Sequence, residues 1–519
     1  MTGILKQTLR QLLNEVPIMD PSTISDVPIS GIAIDSRQVH PGDCFVAMVG
    51  GIADGHKYIP AAVRNGAAAI VGSQPGLQPG VPYIQVEDTR HALALLSAAF
   101  YSYPGRSLCV IGVTGTDGKT TTSNLIYQIL LTAGYRIGII STVSAIIDNV
   151  EMDTGFHVTT PEAPDVQRYL ARMVAAGLTH VVLEATSHGL AQERVTGCEF
   201  DLGVVTNITH EHLDYHGTYQ AYLAAKSRLF ASLKETALKR SGNPRTAVLN
   251  MDDSSYDYLR RLSPSRQLSY SVKQPADYFI KDFTTTSSGT DFIVHSPQGI
   301  FPVRSHLVGE YNISNCLAAL AATVGGLDIP VHTAQAGIAS LPGVPGRMQV
   351  IDLGQKFTAI VDFAHTPNAL KQTLQTARTL TTGRVIAVFG SAGLRDREKR
   401  RMMAETSADL ADISILTAED PRTESLDGIL AEMADGAESH GAVEGKTFFR
   451  VPDRGEAIRT ALRMAQPGDL VIACGKGHEQ SMCFGEIEYP WDDRTAMKAA
   501  LAELLGIKGV EMPDLPTSN

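Results

Sequence analysis

A glycine-rich turn between an apolar strand and a helix constrains this chain more than any other feature. The sequence GVTGTDGKTTT occupies residues 112–122 and overlaps the almost continuously apolar run SLCVIGVTG at 107–115. Such a run is typical of a strand buried on both faces of a parallel sheet. Apolar residues then recur at helical spacing until Gly134, a good residue for ending a helix. This order predicts a phosphate-binding turn at the edge of a parallel sheet.

The residues of this turn are candidates for binding a nucleotide. Backbone N–H groups beside the glycines can approach phosphate oxygens, and the helix N-terminus adds partial positive charge. The Lys119 ammonium would neutralise the β- and γ-phosphates, and the Thr120 hydroxyl would be a ligand of Mg²⁺. Val113 stands where the general pattern has its first glycine, so a purely structural turn is the alternative. The candidate contacts are Gly115, Thr116, Asp117, Gly118, Lys119, Thr120 and Thr121.

Length and charge limit the architecture and the partners. At roughly 150 residues per domain, 519 residues predict three or four domains. The net charge of −11 argues against a broad surface for nucleic acid or an anionic membrane. Six scattered cysteines without a C-x-x-C pair, and an N-terminus without a long apolar run, indicate a cytoplasmic protein. We expect the acidic tail at 509–519 to be frayed.

The pattern of apolar runs predicts an α/β fold with three domains. A small α/β module of alternating strands and a helix lies at 32–72, within a first domain at 1–104. Alternating βαβ units then continue through a central domain at 105–340. The Pro/Gly-rich segment SLPGVPGRM at 340–348 is typical of a linker. Beyond it, FTAIVDFA, RVIAVFG, DISILTA and DLVIACG are buried-strand candidates of a doubly wound domain at 341–519.

Two segments after buried strands carry candidate metal ligands. Glu184 and His188 follow one strand, where the carboxyl ends of parallel strands present ligands, and a glutamate there suits Mg²⁺. A surface loop is the alternative reading. For the second segment, at 206–230, contact with a metal or phosphate and an inert loop are about equally favoured by the spacing alone. Lys226 lies on the helix of this segment, and by itself it would be read as a solvated lysine. The cluster in this segment comprises His210, Glu211, His212, Asp214 and His216.

Taken together, the motifs resemble those of the ATP-dependent Mur ligases, and within that family the members that add the third peptide residue. The resemblance spans nearly the whole chain and rests on the order of the motifs. They are DSRQVHPGDCFVAMVGGIADGH, GVTGTDGKTTT, TTPEA, EATSHGLAQERV, TNITHEHLDYHGTYQAYLAAK, GEYNISN, GRM, VDFAHTPNAL, the Arg-rich loop after VFGSAG, EDPRTE and GKGHE.

The resemblance implies a uridine-binding N-terminal domain, a central ATP-binding domain and a Rossmann-like C-terminal domain that binds an amino acid. It implies catalytic roles for Lys119, Lys226, Glu184 and His212, with Mg²⁺ held by Thr120, Glu184, His212 and a carbamylated (N6-carboxylated) Lys226. Further nucleotide contacts would be Asn312, Asn315, Arg347 and Asp362. The uridine diphosphate and muramoyl-peptide substrate would be bound by Ser36, Gly51, Ile52, Ala53, Thr159, Thr160, Thr186, Gln192 and Arg194.

The implied reaction adds a diamino acid to UDP-N-acetylmuramoyl-L-Ala-D-Glu through an acyl phosphate formed from ATP, in a monomeric enzyme. The diamino acid stays open. Asp420 would favour the bare ammonium of L-lysine or L-ornithine, whereas Arg422 with Gly475 and Glu479 resembles a pocket for meso-diaminopimelate. The implied amino-acid contacts are Arg395, Glu419, Asp420, Pro421, Arg422, Gly475 and Glu479.

Two other functions compete with this interpretation. One is a Mur-like ligase that acts on a different carboxylate, such as a polyglutamyl or cyanophycin-type acceptor. The other is a catalytically silent nucleotide-binding scaffold, which would have no need of Lys119, Thr120, Glu184 and Lys226 together.

Overall fold

The computed structural model describes residues 7–21, 24–50, 54–143, 145–148, 150–152, 160–209, 211–240, 242–286 and 289–517. Over these residues the chain forms three helix-flanked sheets, each with a parallel core. The α/β fold class predicted from the apolar runs is therefore confirmed.

The N-terminal sheet is small. Its strands are entirely parallel and follow the order β3-β4-β5-β6, so the strands and the helix predicted at 32–72 are present. The elements of this part are β1 (Gln7–Thr8), α1 (Leu9–Leu12), β2 (Pro28–Ile29), β3 (Gly31–Ala33), β4 (Asp43–Val46), α2 (Ile59–Arg64), β5 (Ala69–Gly72), β6 (Tyr83–Gln85) and α3 (Thr89–Phe100).

The central part begins with the predicted strand, turn and helix. Its elements are β7 (Cys109–Thr114), α4 (Lys119–Thr132), β8 (Ile137–Ile140), β9 (Ala145–Ile147), β10 (Val150–Met152), α5 (Ala163–Ala175), β11 (His180–Glu184), α6 (Ser187–Ala191), β12 (Phe200–Val205), α7 (Leu213–His216), α8 (Tyr219–Ser232), β13 (Thr246–Asn250), α9 (Tyr256–Leu262), β14 (Gln267–Ser271), β15 (Tyr278–Thr286), β16 (Gly289–Ser296), β17 (Gly299–Ser305), α10 (Glu310–Leu320) and α11 (Val331–Ser340).

Eleven strands in the described part of the chain form the central sheet, in the order β10-β9-β8-β11-β7-β12-β13-β14-β15-β16-β17. The strands from β8 to β15 run parallel, and an antiparallel strand pair closes each edge. Leu125 and Ile129 of α4 pack on one face, whereas Val166 of α5 and Leu229 of α8 pack on the other. Helices on both faces explain why the inner strands are apolar throughout.

The C-terminal part contains the four predicted buried strands, here β19, β20, β21 and β23. Its elements are β18 (Gln349–Val350), β19 (Thr358–Asp362), α12 (Pro367–Leu380), β20 (Val385–Phe389), α13 (Arg397–Leu410), β21 (Ile413–Leu416), α14 (Leu426–Ser439), β22 (Phe448–Arg450), α15 (Arg454–Met464), β23 (Leu470–Cys474), β24 (Ser481–Phe484), β25 (Ile487–Pro490) and α16 (Asp493–Leu505).

The C-terminal sheet places the ends of four strands at one edge. Its order is β18-β19-β23-β20-β21-β22, with β18 antiparallel to its neighbour and the other pairs parallel. Of the strands in this sheet, β23 comes last in the chain, yet it is inserted between β19 and β20. Because the carboxyl ends of parallel strands share one edge, the loops after β19, β20, β21 and β23 lie together, which is where ligands bind in such sheets.

The C-terminal tail differs from expectation. Leu515 is 4% exposed and packs in the C-terminal core, with Met512 against the same cluster. The Thr517 hydroxyl donates to Asp453 Oδ2 at 2.8 Å. The prediction of a frayed tail is therefore wrong as far as residue 517, because two apolar side chains at Met512 and Leu515 find a groove to fill.

Among the described residues, no helix has both the length and the apolar character needed to cross a bilayer.

Candidate active site

A cavity of about 520 Å³ lies between the central and C-terminal sheets. Residues from both parts of the chain line it, so the carboxyl edges of the two sheets face a common space. The sequence-predicted residues that line it are Thr116, Asp117, Gly118, Lys119, Thr120, Thr121, Thr186, Glu211, His212, Asn312, Asn315, Arg347, Asp362 and Glu479. Thr142, Tyr311, Phe363, His365 and His478 also line it and were not singled out from the sequence.

The glycine turn is held tightly against neighbouring loops. Gly118 has φ +81°, and a Cβ there would collide with the amide oxygen of Asn315. The N–H of Asp117 donates to Asn207 Oδ1 at 3.0 Å, and the Thr206 hydroxyl donates to the Asp117 carbonyl at 2.6 Å. These contacts fix the turn before any ligand arrives, which lowers the cost of ordering it around a phosphate.

Lys119 begins α4 at the mouth of this turn. Its ammonium donates to the neutral Thr116 carbonyl at 2.8 Å. Burial lowers the pKa of Lys119, although the carboxylates of Glu184 and Asp117 oppose that shift. The side chain is therefore placed to meet an anionic group in the cavity.

Glu184 is the fully buried carboxylate at the end of β11. Its Oε2 accepts hydrogen bonds from the hydroxyls of Thr120, at 3.2 Å, and Thr142, at 2.8 Å. Burial raises the pKa of Glu184, and the nearby Lys119 opposes the rise. A carboxylate and two hydroxyl oxygens in one place form a set of hard donors, the kind that Mg²⁺ prefers.

Lys226 is buried rather than solvated, with 1% of its surface exposed. Its Nζ donates to the Gly115 carbonyl at 2.6 Å and lies 4.7 Å from the centre of the Tyr222 ring. Burial, and then the positive charge of Lys119, hold the pKa of Lys226 well below its ordinary value. The reading of Lys226 as a solvated helical lysine is wrong, because α8 turns this side chain under the glycine turn.

The histidine-rich segment reaches the cavity through Glu211 and His212. His212 has φ +54°, and burial strongly lowers its pKa. The His188 ring lies 4.8 Å from the His212 ring and 4.3 Å from the Tyr215 ring. His210 and the Asp214 side chain lie outside the described residues. Within the part described, no three His, Cys, Asp or Glu side chains group to hold a metal ion.

Asn312, Asn315 and Asp362 form the wall of the cavity beside the turn. Asn315 Nδ2 donates to Asn312 Oδ1 at 3.0 Å, and both side chains are buried. Asp362 accepts from the Met348 N–H at 2.7 Å and the Ala364 N–H at 2.8 Å. Asp362 thus ties the linker segment to the loop after β19.

Two contacts join the C-terminal part to the glycine turn. Arg347 Nη2 donates to the Thr120 hydroxyl at 3.4 Å, and the Arg347 guanidinium lies 4.1 Å from the Phe363 ring centre. Asn368 Nδ2, in the first turn of α12, donates to Asp117 Oδ2 at 3.1 Å. Asn368 was missed, although the motif that contains it was noted, because its partner is 251 residues away.

The candidates for the muramoyl-peptide substrate form a connected group beside the cavity. Arg194 donates to the Thr160 carbonyl and to Gln192 Oε1, both at 2.8 Å, and forms an ion pair with Glu162. Thr160 and Thr186 lie 3.0 Å apart through their hydroxyls. Ser36 lies apart from this group, buried in the N-terminal part. Gly51, Ile52, Ala53 and Thr159 lie outside the described residues.

The candidates for the amino acid lie on the loops after β20, β21 and β23. Arg395 is exposed, and Arg422 Nη1 donates to the Gly393 carbonyl at 2.8 Å. Glu419 is 7% exposed, and its Oε2 has no hydrogen-bond partner. Burial raises the pKa of Glu419 to about 7. A Cβ on Gly475, which has φ +114°, would lie 2.5 Å from that Oε2, so a glycine is needed there. Pro421 is buried between Asp420 and Arg422.

A buried ion pair supports these loops from below. Arg454 and Asp493 are both 0% exposed and joined by two hydrogen bonds of 2.7 Å. The remaining Arg454 donors reach the carbonyls of Ala418, at 3.1 Å, and Cys474, at 2.8 Å, which immediately precede Glu419 and Gly475. Trp491 Nε1 donates to Asp493 Oδ1 at 2.8 Å. One guanidinium therefore fixes the ends of β21 and β23, which precede Glu419 and Gly475.

Comparison with known proteins agrees with this geometry. Residues 28–101 match the model "Mur ligase family, catalytic domain", residues 113–323 "Mur ligase middle domain" and residues 346–477 "Mur ligase, glutamate ligase domain". The chain is 44% identical, over 92% of its length and 95% of the relative's, to the UDP-N-acetylmuramyl-tripeptide synthetase of Roseiflexus sp. (strain RS-1).

Other relatives are similar over equally long stretches. The UDP-N-acetylmuramoyl-L-alanyl-D-glutamate--2,6-diaminopimelate ligase of Geobacillus thermodenitrificans is 39% identical over 95% of this chain and 99% of its own. A solved structure of a ligase with that name superimposes with a TM-score of 0.66 at 32% identity, covering 96% of this chain and 100% of that one. MurF from Acinetobacter baumannii, 21% identical with a TM-score of 0.63 over 97% and 99% of the two chains, shares the fold.

The glycine turn with its lysine, the buried glutamate and the facing loops after β20, β21 and β23 define an ATP-dependent ligase that joins an acid to an amine. These three loops carry the candidates for the amino acid and are called the amino-acid loops below. The chain belongs to the Mur ligase family. ATP and Mg²⁺ are the co-substrate and the metal of this family's chemistry.

Proposed function

We propose that this chain adds a diamino acid to UDP-N-acetylmuramoyl-L-Ala-D-Glu, forming an amide bond with ATP during peptidoglycan synthesis. The observation that carries the proposal is that Lys119 of the glycine turn and Glu479 of the amino-acid loops line the same cavity. Relatives named for this substrate match the chain almost from end to end. A nucleotide and an amine would then meet at one place.

The reaction requires two anions to approach each other. An oxygen of the substrate carboxylate forms a bond to the γ-phosphorus of ATP while the bond to ADP breaks. The amine nitrogen then bonds to the acyl carbon and inorganic phosphate leaves. Lys119, at the N-terminus of α4, offsets the repulsion between the anions, and Arg347 adds a second cation from the C-terminal side.

The residues beside the turn fit a magnesium ion. Glu184 Oε2 lies 3.2 Å from the Thr120 hydroxyl in a fully buried setting, and we propose these two groups, with His212, as ligands. A bound magnesium ion would neutralise phosphate charge and polarise the γ-phosphate. Glu184 holds Thr120 and Thr142 together through its hydrogen bonds, which keeps the oxygens of this set in place.

We propose further that Lys226 is carbamylated to N6-carboxylysine and adds an anionic oxygen to the metal site. Its buried position beside Lys119 supports this, because a depressed pKa increases the neutral amine that alone reacts with CO₂. Supplying ¹³C-bicarbonate should produce a carbamate signal in the ¹³C spectrum of the protein. The Lys226→Met variant should lack that signal, and its persistence would assign the carbamate to another lysine.

The remaining site residues receive proposed roles by position. Arg194, Gln192, Thr160 and Thr186, with Ser36 and the 51–53 and 159 positions, would hold the UDP-muramoyl dipeptide. Arg395 and Arg422 are proposed for carboxylates of the amino acid, with Glu419, Asp420, Pro421, Gly475 and Glu479 around them. Asn312, Asn315, Arg347 and Asp362 would surround the nucleotide together with residues 115–121.

We also propose domain boundaries at 104/105 and 340/341. Each of the three large sheets lies within one of the resulting segments, which supports this division.

We propose as well that the protein is cytoplasmic and monomeric and that it has no nucleic-acid or membrane partner.

A direct assay tests the proposed function. The purified protein is incubated with ATP, Mg²⁺, UDP-N-acetylmuramoyl-L-Ala-D-Glu and either L-lysine, L-ornithine or meso-diaminopimelate. At least one diamino acid should yield ADP together with a UDP-linked tripeptide detected by mass spectrometry. The Lys119→Met variant serves as the matched control. Absence of both products with all three amino acids would contradict the proposal.

A further inference from the structure

The amino-acid loops contain a buried lysine that joins two of their carboxylates. Lys476, in the loop after β23, has a side chain that is 0% exposed. Its Nζ lies 2.9 Å from Asp420 Oδ1 and 2.5 Å from Glu479 Oε2. The Cys483 N–H donates to the same Asp420 oxygen at 2.9 Å. Two donors of the protein itself therefore bind the oxygen of Asp420 that faces this loop.

This group contains one positive charge, on Lys476, and two negative charges, on Asp420 and Glu479. Burial lowers the pKa of Lys476, but the carboxylates of Glu479 and Asp420 outweigh that effect and raise it overall. One ammonium thus stands between two carboxylates. Breaking such a buried pair by removing one partner is costly, because the other charge is left uncompensated.

The two carboxylates differ in their access to the cavity. The Glu479 side chain is 24% exposed and lines the cavity, whereas the Asp420 side chain is 9% exposed and is not one of the lining residues. A ligand in the cavity would therefore meet Glu479 before it met Asp420. The acid at 420 adds negative charge, but that charge is directed to Lys476.

We infer that Lys476 is a positioning residue that neutralises Asp420 and holds Glu479 at the cavity wall, so that Glu479 and not Asp420 meets the side-chain ammonium of the incoming diamino acid. The inference rests on the proposed function for its substrate. It removes the argument by which Asp420 alone would favour L-lysine or L-ornithine over meso-diaminopimelate.

The first experiment needs no substrate. Melting temperatures are measured for wild type, Asp420→Asn, Lys476→Met and the double variant. Lys476→Met should lower the melting temperature most, because it leaves two carboxylates without their cation. The double variant should melt above the temperature that the two single shifts add up to. Additive shifts would overturn the pairing of Asp420 with Lys476.

The second experiment measures steady-state kinetics with L-lysine, L-ornithine and meso-diaminopimelate. Glu479→Gln should raise the amino-acid KM at least 10-fold for each active substrate while changing the KM for ATP less than 2-fold. Asp420→Asn should change the amino-acid KM values by similar factors and keep the ratio of kcat/KM between active substrates within 3-fold. Lys476→Arg should retain more activity than Lys476→Met, since it keeps the charge.

The outcomes separate the two proposals. A shift of 10-fold or more toward meso-diaminopimelate in Asp420→Asn would show that Asp420 binds the substrate ammonium, and would overturn the inference. If the wild-type enzyme accepts only one diamino acid, activity of the Asp420→Asn variant with a second diamino acid would also overturn the inference. If wild type turns over none of the three, the proposed function fails, whereas the melting experiment still decides whether Lys476 is bound by Asp420.

Discussion

Asn368 Nδ2 donates a hydrogen bond of 3.1 Å to Asp117 Oδ2, joining the first turn of α12 to the glycine turn across 251 residues of sequence. The bond connects the C-terminal part directly to the segment proposed to bind phosphate. A change at Asn368 is therefore transmitted directly to that segment.

Replacing Asn368 should weaken nucleotide binding. A hydrogen bond to a charged group contributes about 1.5–3 kcal/mol, less where solvent reaches it. We expect Asn368→Ala to raise the KM for ATP about 3- to 10-fold with little change in melting temperature. Asn368→Asp should act more strongly, since it sets a second carboxylate against Asp117. Lys371→Ala, at an exposed site on the same helix, is the control. Equal KM values in all variants would contradict this role.

Lys119→Met should remove most of the activity without unfolding the protein. Loss of one group that stabilises developing charge reduces kcat by about 10²–10³-fold. Burial of an ammonium is unfavourable, so melting temperature should stay the same or rise. Single-turnover ADP formation measures the effect. The exposed Lys234→Met should behave as wild type, and a Lys119→Met enzyme with more than a tenth of wild-type kcat would exclude the proposed role.

The Arg454–Asp493 pair should influence amino-acid binding indirectly, because Arg454 holds the strand ends that precede Glu419 and Gly475. Arg454→Lys keeps the charge but loses the two-pronged contact, and we expect a lower melting temperature with an amino-acid KM raised more than the KM for ATP. Trp491→Phe removes one donor at the edge of this network and should cost about 1 kcal/mol of stability. Arg459 lies on the same helix as Arg454 and forms a surface pair with Glu503 of α16. The Arg459→Lys variant should cost less than about 1 kcal/mol. Equal changes in both KM values would make Arg454 purely structural.

Glu419 should make stability depend on pH. Its pKa is raised by burial from 4.5 to about 7, so the folded state holds a proton that the unfolded state loses first. This contribution is fully present below pH 4.5 and is lost as pH rises through 7, by about 3 kcal/mol in total. Urea unfolding at pH 5 and pH 8 can be followed by Trp491, the single tryptophan of the chain. Wild type should lose stability relative to Glu419→Gln between these values; a constant difference would contradict the shift.

Sequence predicted the elements whose signals are local. The four C-terminal strands β19, β20, β21 and β23 were found because each is a short, mostly apolar and buried run. The antiparallel extension β15–β17 was missed, since strands with alternating burial such as β17 (Gly299–Ser305) carry a weaker signal. The acidic composition of the tail also led to the wrong prediction that it is frayed, whereas Met512 and Leu515 pack against the C-terminal core.

Side-chain partners were predictable only where a motif brings them together. Lys119 and Thr120 are adjacent in the chain, so their common role follows from spacing. Asp420 and Lys476 are 56 residues apart and meet because β23 is inserted between β19 and β20, an order that apolar runs do not reveal. From the sequence, Asp420 was therefore expected to pair with the ammonium of a ligand, whereas in the structure it pairs with Lys476 of the protein itself.

Gly346, next to Arg347 in the linker, packs directly on the backbone of Gly477 and His478, with no space for a Cβ on either glycine. This contact holds the linker against the loop after β23 and so sets the position from which Arg347 enters the cavity. Alanine at Gly346 or Gly477 would push these two backbone segments apart. Such variants would displace Arg347 from the Thr120 hydroxyl that it contacts.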